Sequence, residues 1–385
     1  MKKNNNSQYI SNLLLKMMVP EYRQMNSDPF KNLTGEDWPI FVEKCYAEGL
    51  SGLIFHNLGI HNLLSKIEPN ARQALETDFL TNYGRNTILE KELYVVSRHF
   101  NQKKIRSLLI RGGSLFNKIY PSLGARPMVD LDFVISESDF PQAKSCLSCL
   151  GYDSYPNYPY FYFKEGIYID IHLDAANFWR VKSMQSLISP NNKELWSRSQ
   201  LFNDFLYVRF LDTYDALICT ADHMLWHSFE RLIWFMDIYF LLNDAHRPFV
   251  WQKLFDRAEQ LGHFKPLVYV LNFVDFHKIY ILPKEAKNTL QSYKLNLVDK
   301  KTIYYLQKNE RRAISGEILA FLSIKTFARK MRALCQIIFI SKSKFPNTSS
   351  QRNTLTYIKR FINIMFAALR KIFYLFKPAF LTKNP

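Results

Sequence analysis

Two aspartates stand two residues apart in an apolar run, Arg126-Pro-Met-Val-Asp-Leu-Asp-Phe-Val-Ile135, and no other feature constrains this chain as much. The run reads as a strand, and side chains two apart on a strand share a face. Asp130 and Asp132 therefore leave one side of it, and Val129, Leu131 and Phe133 the other. Neighbouring carboxylates repel, so a fold keeps such a pair where a cation or a proton is shared, or where the strand is a solvated edge. A third acid repeats the pattern in Ile167-Tyr-Ile-Asp-Ile-His-Leu173, where Tyr168, Asp170 and His172 share a face opposite Ile169 and Ile171. A half-buried hairpin strand with its polar residues outward would look the same.

The surrounding punctuation places these strands. Ser107-Leu-Leu-Ile110 is a short apolar strand running into Arg111-Gly-Gly-Ser114, and a helix is expected over Ser114–Tyr120. A glycine turn between strand and helix lets backbone N–H groups approach phosphate oxygens. Ser114 would add a hydroxyl and Arg111 a charge, although most such turns only reverse the chain. A second helix runs from Pro141 to Leu150 with Gly151 as its stop, and Glu165-Gly166 turns a hairpin. Residues 105–175 thus read β-α-β-α-β-β. Helical spacing dominates before this unit and again from Thr213 onward. The expected fold is α+β, a small mixed sheet flanked by N- and C-terminal helical regions. Its divisions fall at 1–100 (helical), 101–208 (α/β), 209–330 (helical) and 331–385 (basic tail).

In this order of elements the chain resembles the nucleotidyltransferase superfamily of DNA polymerase β type. It is most similar to bacterial nucleotidyltransferase family proteins of unassigned substrate. The residues that carry the likeness are Ile110-Arg-Gly112, Arg126-Pro-Met-Val-Asp-Leu-Asp132, Gly151-Tyr152 and Asp170-Ile-His172. His223-Met-Leu-Trp-His227 and Trp234-Phe-Met-Asp237 extend it over roughly residues 40–280. Arg111 stands where such proteins often carry lysine, and the spacing from Gly113 to Asp130 is longer than usual.

The resemblance implies Mg²⁺-dependent transfer of a nucleoside monophosphate from an NTP, with ATP the expected donor. The acceptor would be a hydroxyl on a small molecule or a protein. Asp130 and Asp132 would hold metals bridging the triphosphate, and Asp170 would bind the metal at the acceptor hydroxyl or take its proton. Two cations about 3.5–4 Å apart stabilise attacking and leaving oxygens together. Arg111, Gly112, Gly113, Ser114 and Arg126 would contact the nucleotide, Arg126 equally well being a salt bridge that orients the acids. His172 would be a partner of Asp170 or a substrate contact, and His227 a substrate-facing or packing residue. His223 and His227 lack the intervening glutamate of a zinc-protease helix.

Charge is unevenly spread. Residues 318–385 hold 13 Lys plus Arg and no acid, so 13 of the net +17 charges sit there and +4 remain for residues 1–317. Leu355, Ile358, Ile362, Met365, Leu369, Ile372 and Phe376 recur at three- and four-residue steps, making an amphipathic cationic helix. It would dock on the protein's own helices, lie on an anionic membrane or, less favoured, meet an RNA acceptor. Five cysteines, an odd and small number, fit reduced thiols. No signal-peptide pattern and no apolar run of roughly 18 residues occurs. A cytoplasmic protein is expected, with peripheral contact at the inner membrane face. A non-catalytic adaptor on the same fold is the competing reading, and the retention of all three acids speaks against it.

Overall fold

Chain segments of alternating or continuous apolar character do become strands, and the central ones are buried on both faces. The computed structural model describes residues 2–20, 28–155, 158–175, 192–244, 249–311, 314–323 and 330–331. Four helices come first: α1 (Lys2–Met17), α2 (Asp37–Ala47), α3 (Ser51–Ile60) and the 34-residue α4 (Pro69–Gln102). The sheet region contains β1 (Ser107–Ile110), β2 (Asp130–Ile135), α5 (Phe140–Cys149), β3 (Asp153–Tyr155), β4 (Tyr158–Lys164) and β5 (Ile167–His172). It ends with α6 (Asn192–Arg198), β6 (Gln200–Phe202) and β7 (Phe205–Phe210). Helices follow: α7 (Thr213–Trp226), α8 (Ile233–Asp244), α9 (Trp251–Leu261), α10 (Phe264–Phe276), α11 (Lys284–Ser292), α12 (Leu297–Gln307) and α13 (Gly316–Ser323).

The seven strands form one mixed sheet in the order β3-β4-β5-β2-β1-β7-β6. β2 pairs in parallel with β5 and β1 with β7, while the other pairs are antiparallel. One face, with Leu109, Leu131, Phe133, Ile135, Ile169 and Ile171, packs on Leu89, Leu93, Val96 and Phe100 of α4 and on Ala143 and Leu147 of α5. The opposite face sends Leu108, Ile110 and Val134 into a larger core. That core joins the N-terminal helices (Ile10, Phe41, Leu53) to the C-terminal ones (Leu217, Phe235, Leu271). The acids belong to this second face. Asp132 is 6 % and Asp170 8 % exposed, which excludes the solvated-edge explanation for them.

Local chemistry sets the element ends. Glu68 caps α4 by accepting from the Ala71 N–H at 2.9 Å, with Pro69 in the first turn where its missing donor costs nothing. Asp212 caps α7 through the Asp215 N–H at 2.8 Å. Glu165 and Gly166 both adopt positive φ (48° and 80°), the two-residue turn whose twist matches a hairpin. Glu48, just past α2, gathers two distant segments. Its carboxylate accepts from the Leu232 N–H at 2.9 Å and pairs with Arg311, and its carbonyl accepts from the Ile233 N–H at 3.2 Å.

Three readings of the sequence need correction. No α-helix opens at Ser114: Arg111–Ser114 is a single 3₁₀ turn followed by irregular turns. Seven residues make a marginal helix, and Pro121 bars its continuation. Phe116 and Tyr120 are instead drawn into the two different cores. Val129 does not pack behind the acids; it precedes β2, is 53 % exposed, and its carbonyl accepts from Arg85 at 3.1 Å. The sheet also gains β6 and β7, turned at Asn203 with φ 51°. Most of the basic tail, residues 332–385, lies outside the described residues. Among those described, no helix is long and apolar enough to cross a membrane.

Candidate active site

The parallel register of β2 and β5 sets Asp132 directly beside Asp170, and Asp130 beside Tyr168. β1, antiparallel to β2, sets Ile110 opposite Asp132, so the turn after β1 begins at the acid pair. Arg111, the first residue of that turn, is held in the left-handed region at φ 55°. For a residue with a Cβ this costs on the order of 1–2 kcal/mol. In this conformation its Nη1 lies 2.8 Å from Asp132 Oδ1 and 3.3 Å from His172 Nε2. Ser114 Oγ donates to the Arg111 carbonyl at 2.8 Å and closes the turn.

His172 is fully buried. Its Nε2 lies 2.7 Å from Asp132 Oδ1 and 3.3 Å from Asp170 Oδ2. One donor atom from each of Asp132, Asp170 and His172 falls within 4.8 Å of the others, a set able to hold a metal ion. Asp130 stands outside this trio but on the same strand face. Burial, then the charges of Asp132 and Asp170, push its carboxyl up to about 7, against the opposing pull of Arg111 and Arg126. Burial alone would raise Asp132 as well, but the Arg111 guanidinium and His172 hold it below the usual carboxylate range. Neighbouring acids driven apart in this way mark a site arranged for charge and proton handling.

Arg111 spends only one of its nitrogens on the acids. Nε and Nη2 are buried without a hydrogen-bond partner among the described residues. Orphaned buried donors on a guanidinium are costly and suit an anion. The carboxylate and imidazole donors therefore fit a divalent cation, and the adjacent guanidinium fits a phosphate.

Gly112 is glycine because of its own chain. A Cβ there would lie 2.3 Å from Arg126 Nη1 and 2.6 Å from Met128 Sδ. Gly113 is buried with Leu109 as its neighbour, a Cβ meeting Leu109 Cδ1 at 3.2 Å. Arg126 faces away from the acids towards α8. Its Nε and Nη2 each donate at 2.8 Å to the two oxygens of Asp237, and Tyr120 Oη donates to Asp237 Oδ1 at 2.6 Å. The bidentate pairing is the salt-bridge alternative for Arg126, made with a helix more than a hundred residues away rather than with the strand acids. Asn86 of α4 pins the same loop by donating to the carbonyls of Leu123 (2.6 Å) and Arg126 (2.7 Å).

α7 packs against the 111–114 turn and brings His223 towards it. Burial, then Arg111, His227 and His172, push the His223 imidazole well below its ordinary pKa, so it is neutral. Its ring centroid is 4.5 Å from that of His227, and both rings contact Trp234. The structure thus gathers Arg111, Asp130, Asp132, Asp170 and His172. It sets Gly112 within the turn, Arg126 behind it, and His227 in an aromatic cluster with His223. Tyr120 and Asp237 complete the support. Asp237 lies in the Trp234-Phe-Met-Asp motif, whereas Tyr120 carries no sequence signal.

A search of curated proteins gave no match, and neither did a search of solved structures. A family model described as an uncharacterised nucleotidyltransferase matches residues 34–275, a span that includes every residue of the site and the helix carrying Asp237. The chain belongs to this uncharacterised nucleotidyltransferase family.

Proposed function

We propose that this protein transfers a nucleoside monophosphate from an NTP to a hydroxyl of a small molecule or protein, in a reaction dependent on Mg²⁺ or a related divalent ion. The observation that carries the reading is the register of β2 and β5, which sets Asp132 against Asp170 beneath an arginine whose buried Nε and Nη2 donors are unused among the described residues. Asp132 and Asp170 would hold the cation, with Asp130 beside them on the same face. A bound divalent ion supplies charge neutralisation on the triphosphate and eases loss of the acceptor proton. Arg111 would donate Nε and Nη2 to phosphate oxygens. The acceptor oxygen forms a bond to the α-phosphorus, the bond to the bridging oxygen breaks, pyrophosphate leaves, and Asp130 or Asp170 takes the acceptor proton. Positioning and charge account for most of such a rate. ATP is the donor to try first. We place the reaction in the cytoplasm, with segment 331–385 as the element that would meet an anionic membrane.

The test is incubation of the full chain with each α-labelled NTP, Mg²⁺ and cell extract. Label is expected on an acceptor with the wild type and not with Asp132→Asn. A wild-type protein that neither binds NTP nor moves label at millimolar nucleotide rejects the proposal and favours the adaptor.

A further inference from the structure

We infer that His172 is itself a ligand of the metal, so that the site takes a first-row transition ion such as Mn²⁺ in preference to Mg²⁺. This rests on the metal-dependent reading above and specifies its donor set. Ligands at about 2.1 Å from an octahedral ion lie about 3.0 Å apart along a cis edge. His172 Nε2 sits 2.7 Å from Asp132 Oδ1 and 3.3 Å from Asp170 Oδ2, bracketing that edge. Asp130, the acid that the strand pattern pairs with Asp132, is not in the trio whose donor atoms fall within 4.8 Å of one another.

Without metal, Nε2 is engaged with Asp132 Oδ1 at 2.7 Å, and an ion bound between the two atoms would take the place of the proton they share. Arg111 Nη1, 3.3 Å from His172 Nε2, would then turn from that atom to the phosphate side. The guanidinium meets Asp132 Oδ1 at 2.8 Å as well, and thus covers one edge of the trio with positive charge. Its Nε and Nη2 are buried without a partner, an independent sign that an anion belongs beside these donors. Imidazole with carboxylates suits Mn²⁺, Fe²⁺ or Zn²⁺ better than Mg²⁺, which favours oxygen and keeps its waters. Mn²⁺ accepts both donor types and reports its ligands magnetically.

The experiment uses the full-length, metal-stripped protein and Mn²⁺ alone, read by pulsed electron paramagnetic resonance. A ¹⁴N modulation is expected from the bound ion, replaced by a ¹⁵N signal when only histidine is ¹⁵N-labelled. It disappears in His172→Gln, with at least a tenfold loss of Mn²⁺ affinity and a smaller loss for Mg²⁺. His223→Gln and His227→Gln, which alter the histidines beside the turn, retain it. These two variants with labelled wild type decide the point if His172→Gln does not fold. Mn²⁺ bound without histidine nitrogen, a modulation that survives His172→Gln, or no Mn²⁺ binding would each overturn the inference. No nucleotide enters this measurement, so its outcome is separate from whether label moves in the transfer assay.

Discussion

Removing the Asp237 carboxylate should be among the most damaging single changes outside the acids. The side chains of Arg126 and Asp237 are 8 % and 3 % exposed and share two hydrogen bonds of 2.8 Å. Burial alone would lower the Arg126 pKa, but Asp237 overrides it and keeps the guanidinium charged. Asp237→Ala leaves that charge in the core, a loss of about 3–5 kcal/mol. It also removes the acceptor of the Tyr120 hydroxyl, 2.6 Å away, adding about 1 kcal/mol. The expected total is about 4–6 kcal/mol, measured by chemical denaturation of the full chain with tryptophan fluorescence. Trp234, on the same helix, is a local reporter. The double variant R126M/D237L replaces both charges with apolar groups and should be more stable than Asp237→Ala alone, because no charge is stranded. A loss below about 1 kcal/mol in Asp237→Ala, or a double variant at least as unstable, would show that the pair is not a strut.

Two further outcomes follow from the same geometry. Gly112→Ala forces a methyl into the clamped Arg126 and Met128 and should cost about 1–3 kcal/mol. The same change should cost measurably less in the Asp237→Ala background, where Arg126 can move, and equal costs in both would count against the contact. The raised Asp130 pKa stabilises the metal-free fold through its protonated form. That contribution is complete below the ordinary value of 3.8 and lost as pH rises through about 7. Metal-free protein should therefore be less stable at pH 8 than at pH 5, by up to about 2.6 kcal/mol from this group. In Asp130→Asn the component should be absent from denaturation curves over the same range, and an unchanged pH profile would refute the assignment.

The strands that carry the acids were legible because side-chain alternation and turn residues are local properties. Glu165-Gly166 and Gly151 specify a turn and a helix stop without reference to the rest of the chain. Partnership was not legible. Nothing near Arg126 names Asp237, and Arg111 shows its bond to Asp132 only once β1 and β2 are antiparallel neighbours. The helix expected after Gly113 failed because propensity yielded to packing, with Phe116 and Tyr120 pulled to opposite cores. β6 and β7 had a readable signal, Asn203-Asp204 between apolar runs, but lie far in sequence from β1, which β7 flanks. His172 was identifiable as a neighbour of Asp170. Its approach to Asp132 depends on the parallel pairing of two strands.

Glu48 and Arg311 have consequences for how the protein is made. Their partnership spans 263 positions along the chain. At a translation speed of about 5–20 residues per second, Glu48 is added roughly 13–53 s before Arg311. During that interval the loop between α7 and α8 has only half of its anchor, and the core joining both helical groups is incomplete. A nascent polypeptide stalled ahead of Arg311 should thus present exposed apolar helix faces to chaperones. Emergence of Arg311 then supplies the missing half of that anchor.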